Sequence, residues 1–201
     1  MALFKRSLSM KPEDVDQTIQ LWKKNGMHLP PPQVFKQLVI KEYATRHNIN
    51  TFIETGTYLG ETIDYCKSSF NKLISIELDV ALFNNATNKF AHENKITIYH
   101  GDSGILLEKV LTDIEETCLF WLDGHYSEGI TAKGELNTPI ISELNHIFNH
   151  PVSNHIILID DARLFVGRND YPTLDHLSDF VANNKPNLKF SVENDIIRIS
   201  K

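Results

Sequence analysis

Three carboxylates and an imidazole close two apolar runs of this chain. The run at 156–159 ends in Asp160-Asp161, and the run Cys118-Leu119-Phe120-Trp121-Leu122 leads into Asp123-Gly124-His125. Strands that lie parallel in one sheet deliver their last residues to its carboxyl edge, where open α/β sheets hold their ligands. Three oxygen donors at one edge suit Mg²⁺, Mn²⁺ or Ca²⁺, hard cations that take carboxylates and leave positions for substrate oxygens. Zinc is disfavoured, because His125 is the one nitrogen close by in sequence and the chain has no cysteine cluster. A strand-end Asp taken singly often only caps a loop. Three at the ends of two strands read instead as a metal site, Asp123, Asp160 and Asp161, with a base, His125, beside it.

A second group of residues points to a nucleotide-like ligand on the same edge. An earlier apolar run ends in Glu54-Thr55-Gly56-Thr57-Tyr58-Leu59-Gly60, a glycine turn into a helix, where Gly56 and Gly60 allow close backbone approach. The next run ends in Glu77, 23 positions after Glu54, near the ~20-residue offset at which an acidic residue grips a ribose diol. A third ends in Gly101-Asp102-Ser103, a carboxylate and a hydroxyl suited to an adenine edge. Tyr58 stands where the dinucleotide fingerprint needs glycine, so pyrophosphate is a poor fit. Glu54 in the turn suits a cationic or amine-bearing ligand.

These residues need a parallel sheet to bring them together, and the chain alternates accordingly. Short, β-branched runs at 51–53, 73–76, 96–99, 118–122 and 156–159 read as buried strands, with helical patterns over 61–68, 80–92, 104–111 and 139–150 between them. Thr138 and Pro139 supply an N-cap and a first-turn proline for the last of these. After a helix over 173–183, alternating Leu188, Phe190 and Val192 lead through Asn194-Asp195 into Ile196-Ile197-Arg198-Ile199, a terminal antiparallel hairpin. Ahead of the sheet, helices over 11–24 and 33–47 flank Pro30-Pro31-Pro32 and form a cap over residues 1–48, leaving 49–201 as the ligand-binding domain.

Bulk properties narrow the class. At 201 residues, 41% apolar and 23% charged, the chain is long enough for a full core and is globular in composition. No apolar run approaches the ~18 residues that span a bilayer. The first residues lack the apolar core of a secretion signal, and two cysteines without motif spacing, Cys66 and Cys118, favour a reducing cytoplasm. A formal net charge of −6 counts against a nucleic-acid partner.

Glu54 to Gly60, Glu77, Gly101-Asp102-Ser103 and the terminal hairpin resemble a class I S-adenosylmethionine-dependent methyltransferase over residues 49 to 201. Within that superfamily, Asp123-Gly124-His125 with Asp160-Asp161 is similar to the metal-dependent sugar O-methyltransferase branch, the macrocin O-methyltransferase-like and cephalosporin-hydroxylase-like proteins. The resemblance implies an α/β fold: a Rossmann-like, mostly parallel seven-stranded sheet with helices on both faces, the hairpin at one end and the N-terminal helical cap. It implies S-adenosylmethionine on Glu54, Gly56, Thr57, Tyr58, Gly60, Glu77, Asp102, Ser103 and Asp123. It also implies Mg²⁺ on the three Asp and a base two positions after the first. Here that base is His125, where relatives often carry Asp. A metal holding two substrate oxygens would orient a vicinal diol and acidify one hydroxyl, leaving His125, of ordinary pKa ~6.5, to take the proton. Tyr126, Arg163 and Arg168 are candidates for substrate contact. The expected acceptor is a hydroxyl on a diol-bearing small molecule, a sugar or glycoside before a catechol. A nucleic-acid or protein acceptor, a non-catalytic S-adenosylmethionine-binding module and a homo-oligomeric state stay open.

Overall fold

The computed structural model of the chain describes residues 12–124 and 138–201. His125 and Tyr126 therefore lie outside the described residues. Two helices, α1 (Pro12–Lys24) and α2 (Gln33–His47), precede the alternation β1 (Thr51–Thr55), α3 (Glu61–Cys66), β2 (Lys72–Glu77), α4 (Val80–Lys89), β3 (Ile96–His100), α5 (Ser103–Leu111), β4 (Cys118–Leu122), α6 (Ile140–Asn149) and β5 (Ile156–Ile159). The chain closes with α7 (Leu174–Asn184), β6 (Lys189–Glu193) and β7 (Ile196–Ser200). The seven strands form one sheet in the order β3-β2-β1-β4-β5-β7-β6, parallel from β3 through β5, with β7 antiparallel to both β5 and β6. This is the Rossmann-like α/β architecture expected from the sequence.

The central strands β1, β2, β4 and β5 are buried on both faces because each face carries a helical layer. Leu107, Leu144, Ile147, Leu177 and Val181 of α5, α6 and α7 pack against Ile53, Ile76, Phe120 and Ile157. On the other face Val39, Ile40 and Ala44 of α2, with Ile63 and Cys66 of α3, meet Phe52, Leu73, Trp121 and Leu158. Of the two helices ahead of the sheet, α2 thus lies directly on it and forms one wall of the edge where the site is built.

Helix ends differ from the sequence reading by one to three residues, the helix read over 80–92 ending at Lys89. The helix expected over 61–68 stops at Cys66 and tightens into a 3₁₀ turn over Lys67–Ser69. Pro139 stands just before α6 rather than within it, and the Thr138 hydroxyl reaches the Ile140 N–H at 3.4 Å. The terminal hairpin turns at Asn194 and Asp195 with φ of 52° and 66°, a left-handed pair that matches the twist of the flanking strands.

Candidate functional site

Reversal of strand order between β1 and β4 opens a crevice at the carboxyl edge, and the ladder itself carries the chemistry there. Hydrogen bonding runs one residue past each strand: Gly56 N–H to the Ile76 carbonyl (2.9 Å), Gly101 to Glu77 (2.9 Å), Asp123 to Thr55 (3.1 Å) and Asp160 to Leu122 (3.1 Å). Side chains alternate along a strand, so Glu54, Glu77, Asp123 and Asp160 fall in phase with Phe52, Leu73, Trp121 and Leu158, toward the α2 layer. Period and register together bring four carboxylates to one side of one edge.

Gly56, at φ +83°, fixes the middle of this row. A Cβ there would lie 2.4 Å from the Asp123 carbonyl oxygen, so the β1 turn and the β4 end touch through bare backbone. Glu54 is 1% exposed and accepts the Ser75 hydroxyl at 2.7 Å, leaving Thr57 to donate to Ser75 at 2.6 Å. Burial, joined by the charges of Asp123 and Glu77, pushes Glu54 well above the usual carboxylate range despite that hydrogen bond. Glu77 spreads its oxygens between two backbone donors, Tyr58 N–H at 2.8 Å and Asp79 N–H at 2.9 Å, and burial raises it as well. Tyr58 itself is left-handed (φ 49°), so the loop keeps its path without the expected glycine.

The third strand end is less open to a ligand than its sequence suggests. Asp102 caps α5 by accepting the Gly104 N–H at 2.8 Å, and the Ser103 hydroxyl donates to Glu143 Oε1 at 2.6 Å. Glu143 is fully buried beneath the Asp123-Gly124 turn and is pushed up to about 7, by burial first and further by Asp102 and Asp123.

The Asp160-Asp161 end holds a residue that the sequence reading missed. Lys36 of α2 places Nζ 2.5 Å from Asp160 Oδ2 and 3.3 Å from Asp161 Oδ1. Asp160 Oδ1 accepts the Asp161 N–H at 2.8 Å, and Asp161 stands in the left-handed region at φ 57°. Arg163 donates to Asp161 Oδ1 at 2.7 Å and to Asp195 at the hairpin tip, so its guanidinium ties the edge to the hairpin. Arg168 is exposed in the following loop. Burial works against the Lys36 ammonium, but Asp160, Asp161 and Asp123 outweigh it and hold its pKa up. Asp160 is also pushed up, to about 8, by burial and by Asp123 against the pull of Lys36. Lys36 is held up by the carboxylates around it, whereas Asp160 is raised by burial first and by its neighbouring carboxylate charges second.

The expected metal triad can be tested on these contacts. Among the described residues no three His, Cys, Asp or Glu side chains are grouped to hold a metal ion. Oxygen chemistry at Asp160 and Asp161 suits a hard cation, but Lys36 and Arg163 already occupy their facing atoms. The residues as they stand do not fit a resident divalent ion. A helical signal for Lys36 did exist. It lies three and four residues before Val39 and Ile40, on the stripe that faces the core, where an unpaired charge is almost never found. Glu143 sits the same way between Ile140 and Ile147 of α6.

No protein-family model matches the chain, and no curated protein does. Solved structures do match in fold. The O-methyltransferase TomG of Streptomyces achromogenes, involved in tomaymycin synthesis and solved with S-adenosylmethionine, superposes with a TM-score of 0.62 at 12% identity, over 98% of this chain and 92% of that one. An O-methyltransferase of Bacillus cereus in complex with S-adenosylhomocysteine gives 0.63 at 10%, over 97% and 94%. A Podospora anserina methyltransferase bound to S-adenosylhomocysteine gives 0.56 at 13%, over 98% and 99%. At these identities the likeness is one of fold: the chain shares the architecture of these methyltransferases.

Proposed function

We propose that this chain is an S-adenosylmethionine-dependent O-methyltransferase acting on a small-molecule hydroxyl, with a diol-bearing sugar or glycoside as the acceptor class. The observation that carries the reading is Glu54: a fully buried carboxylate at the β1/β4 crevice, raised by its own burial and by two carboxylate neighbours. Such a group is satisfied by a cationic ligand, and S-adenosylmethionine presents both an ammonium and a sulfonium. Glu77 has acceptor capacity beyond its two backbone donors, enough for a ribose diol. The fold shared with cofactor-bound O-methyltransferases adds support.

The bound cofactor would supply the activated methyl group. The task of the protein is to align a hydroxyl with it and remove the hydroxyl proton. Asp123 lies at the centre of the edge, where its charge acts on Glu54, Glu143, Asp160 and Lys36. His125, two positions later in sequence, is assigned the base role and Tyr126 a contact to the acceptor. No helix among the described residues is long and apolar enough to cross a membrane. Cys66 and Cys118 are buried free thiols pushed up to about 12 by burial, an inert state that fits the cytoplasm.

Calorimetric titration with S-adenosylhomocysteine, followed by a labelled-methyl assay on a panel of sugars, glycosides and catechols, tests the reading. Saturable binding with transfer to a diol is expected. Binding without transfer to any acceptor would indicate a non-catalytic module, and absence of binding would end the proposal.

A further inference from the structure

We propose that the Lys36 ammonium is the resident cation of the acceptor side of this edge, standing where a divalent metal would otherwise sit, and that the chain works without such a metal. The role given to Lys36 in turnover rests on the methyltransferase reading; its occupation of the cation position does not.

Position is the first ground. A magnesium ion on Asp160 would need carboxylate oxygens at about 2.0–2.1 Å. Lys36 Nζ already lies 2.5 Å from Asp160 Oδ2, so ion and ammonium claim the same space. A doubly charged ion would also be repelled by Lys36 and by the Arg163 guanidinium on Asp161 Oδ1. The carboxylates are turned to suit these partners, with Asp160 Oδ1 spent on the Asp161 N–H.

The second ground is that the lysine is built in. Gln33, Lys36, Gln37 and Ile40 share one face of α2, spaced by three and four residues. Gln33 donates to the Thr62 hydroxyl at 3.1 Å and Gln37 to the Glu61 carbonyl at 3.3 Å, which pins this face to α3, directly after the 56–60 turn. Lys36 is 7% exposed, its stem packed and its head held by two carboxylates. A buried lysine that merely lacked a counter-ion would not need a polar helix face anchored beside it. An ammonium here offers donors to acceptor oxygens and fixed positive charge near a hydroxyl that must lose its proton, two services otherwise expected of a metal.

The test is ion binding, read by Mn²⁺ paramagnetic titration of the full chain. Wild type is expected to leave Mn²⁺ free at about 1 mM, a concentration that fills even weak carboxylate sites. Lys36→Met, which keeps much of the stem and removes the charge, should open the carboxylates and take up about one equivalent; Lys36→Ala serves if the first variant is unfolded. Stoichiometric Mn²⁺ on wild type would overturn the proposal, as would a folded variant that takes up no more Mn²⁺ than wild type. If neither variant folds, wild type decides alone: free Mn²⁺ supports the assignment and bound Mn²⁺ refutes it. Wild-type turnover in excess EDTA should be unchanged, and its loss there would refute metal independence. Parallel calorimetry with S-adenosylhomocysteine keeps the two questions apart, since its failure would remove the methyltransferase reading while leaving the ion result intact.

Discussion

Replacing Glu77 by Gln separates the two duties this carboxylate performs. Each oxygen accepts one backbone donor, Tyr58 N–H at 2.8 Å and Asp79 N–H at 2.9 Å. A glutamine keeps the volume but has a single acceptor oxygen, so its NH₂ must face one of those N–H groups. One half-buried donor is then left without its acceptor, at a cost to the fold of about 1 kcal/mol, the low end of the range for a buried group. Cofactor binding is weakened as well. Two ribose hydroxyls that would donate to a carboxylate meet a neutral amide, and with charge-assisted bonds worth about 1.5–3 kcal/mol, the weakening of even one costs about tenfold in affinity. Urea unfolding measures the first effect, and calorimetric titration of the folded variant with S-adenosylhomocysteine the second. A folded Glu77→Gln protein that binds S-adenosylhomocysteine as tightly as wild type would refute the ribose assignment, whatever its stability.

Two further outcomes follow from buried titratable groups. His155 accepts the Cys118 N–H on Nδ1 at 3.0 Å and meets His150 through Nε2 at 3.0 Å, so it is buried neutral, its pKa lowered from 6.5 to about 4. Its contribution should be complete above 6.5 and decline as pH falls toward 4, by up to about 3 kcal/mol; urea curves for wild type and His155→Leu should converge by that amount, and parallel curves would refute it. Glu54 and Glu143 are raised in the ligand-free chain, so a cationic cofactor should expel protons on binding and bind more tightly as pH rises. Calorimetric enthalpies in buffers of high and low ionisation enthalpy should then differ near neutrality, and equal enthalpies would exclude proton release.

Much of this architecture was legible because its signals are local. Runs such as Ile156–Ile159 are buried on both faces and must therefore be apolar throughout, and Asn194-Asp195 tolerates the left-handed backbone its turn requires. The strand-end carboxylates were legible for the same reason, since parallel strands deliver their ends to one edge. The stripe of α2 marks Lys36 as buried, but not its pairing, because its partners lie 124 and 125 residues away and nothing between them marks it. Glu143 was hidden likewise: it belongs to a helix read for its apolar face, and its importance appears only once Ser103 and Gly124 close over it. Arg163 carried a local signal that did not point to the partners it has within the chain. A loop arginine near a site invites a substrate anion, whereas this one bonds Asp161 and Asp195 within the chain.

The Lys36–Asp160 pair also bears on why the edge keeps its charge. Burying two ions costs several kcal/mol each, and their attraction only roughly offsets it, so the pair is a poor device for stability alone. An apolar pair of similar volume would hold α2 on the sheet as well, and Val39, Ile40 and Ala44 already do so. What an apolar pair would lack is direction. Lys36 draws Asp160 toward α2 while Arg163 binds Asp161 and the hairpin tip, so adjacent carboxylates on one strand end are set by two different elements. Removing Lys36 would strip Asp160 of the ammonium bonded to it, in a row where Glu54, Glu77 and Asp160 are already raised. On the methyltransferase reading, the Glu54 end would take a cationic ligand, while Lys36 would offer a donor to an acceptor oxygen at the other end.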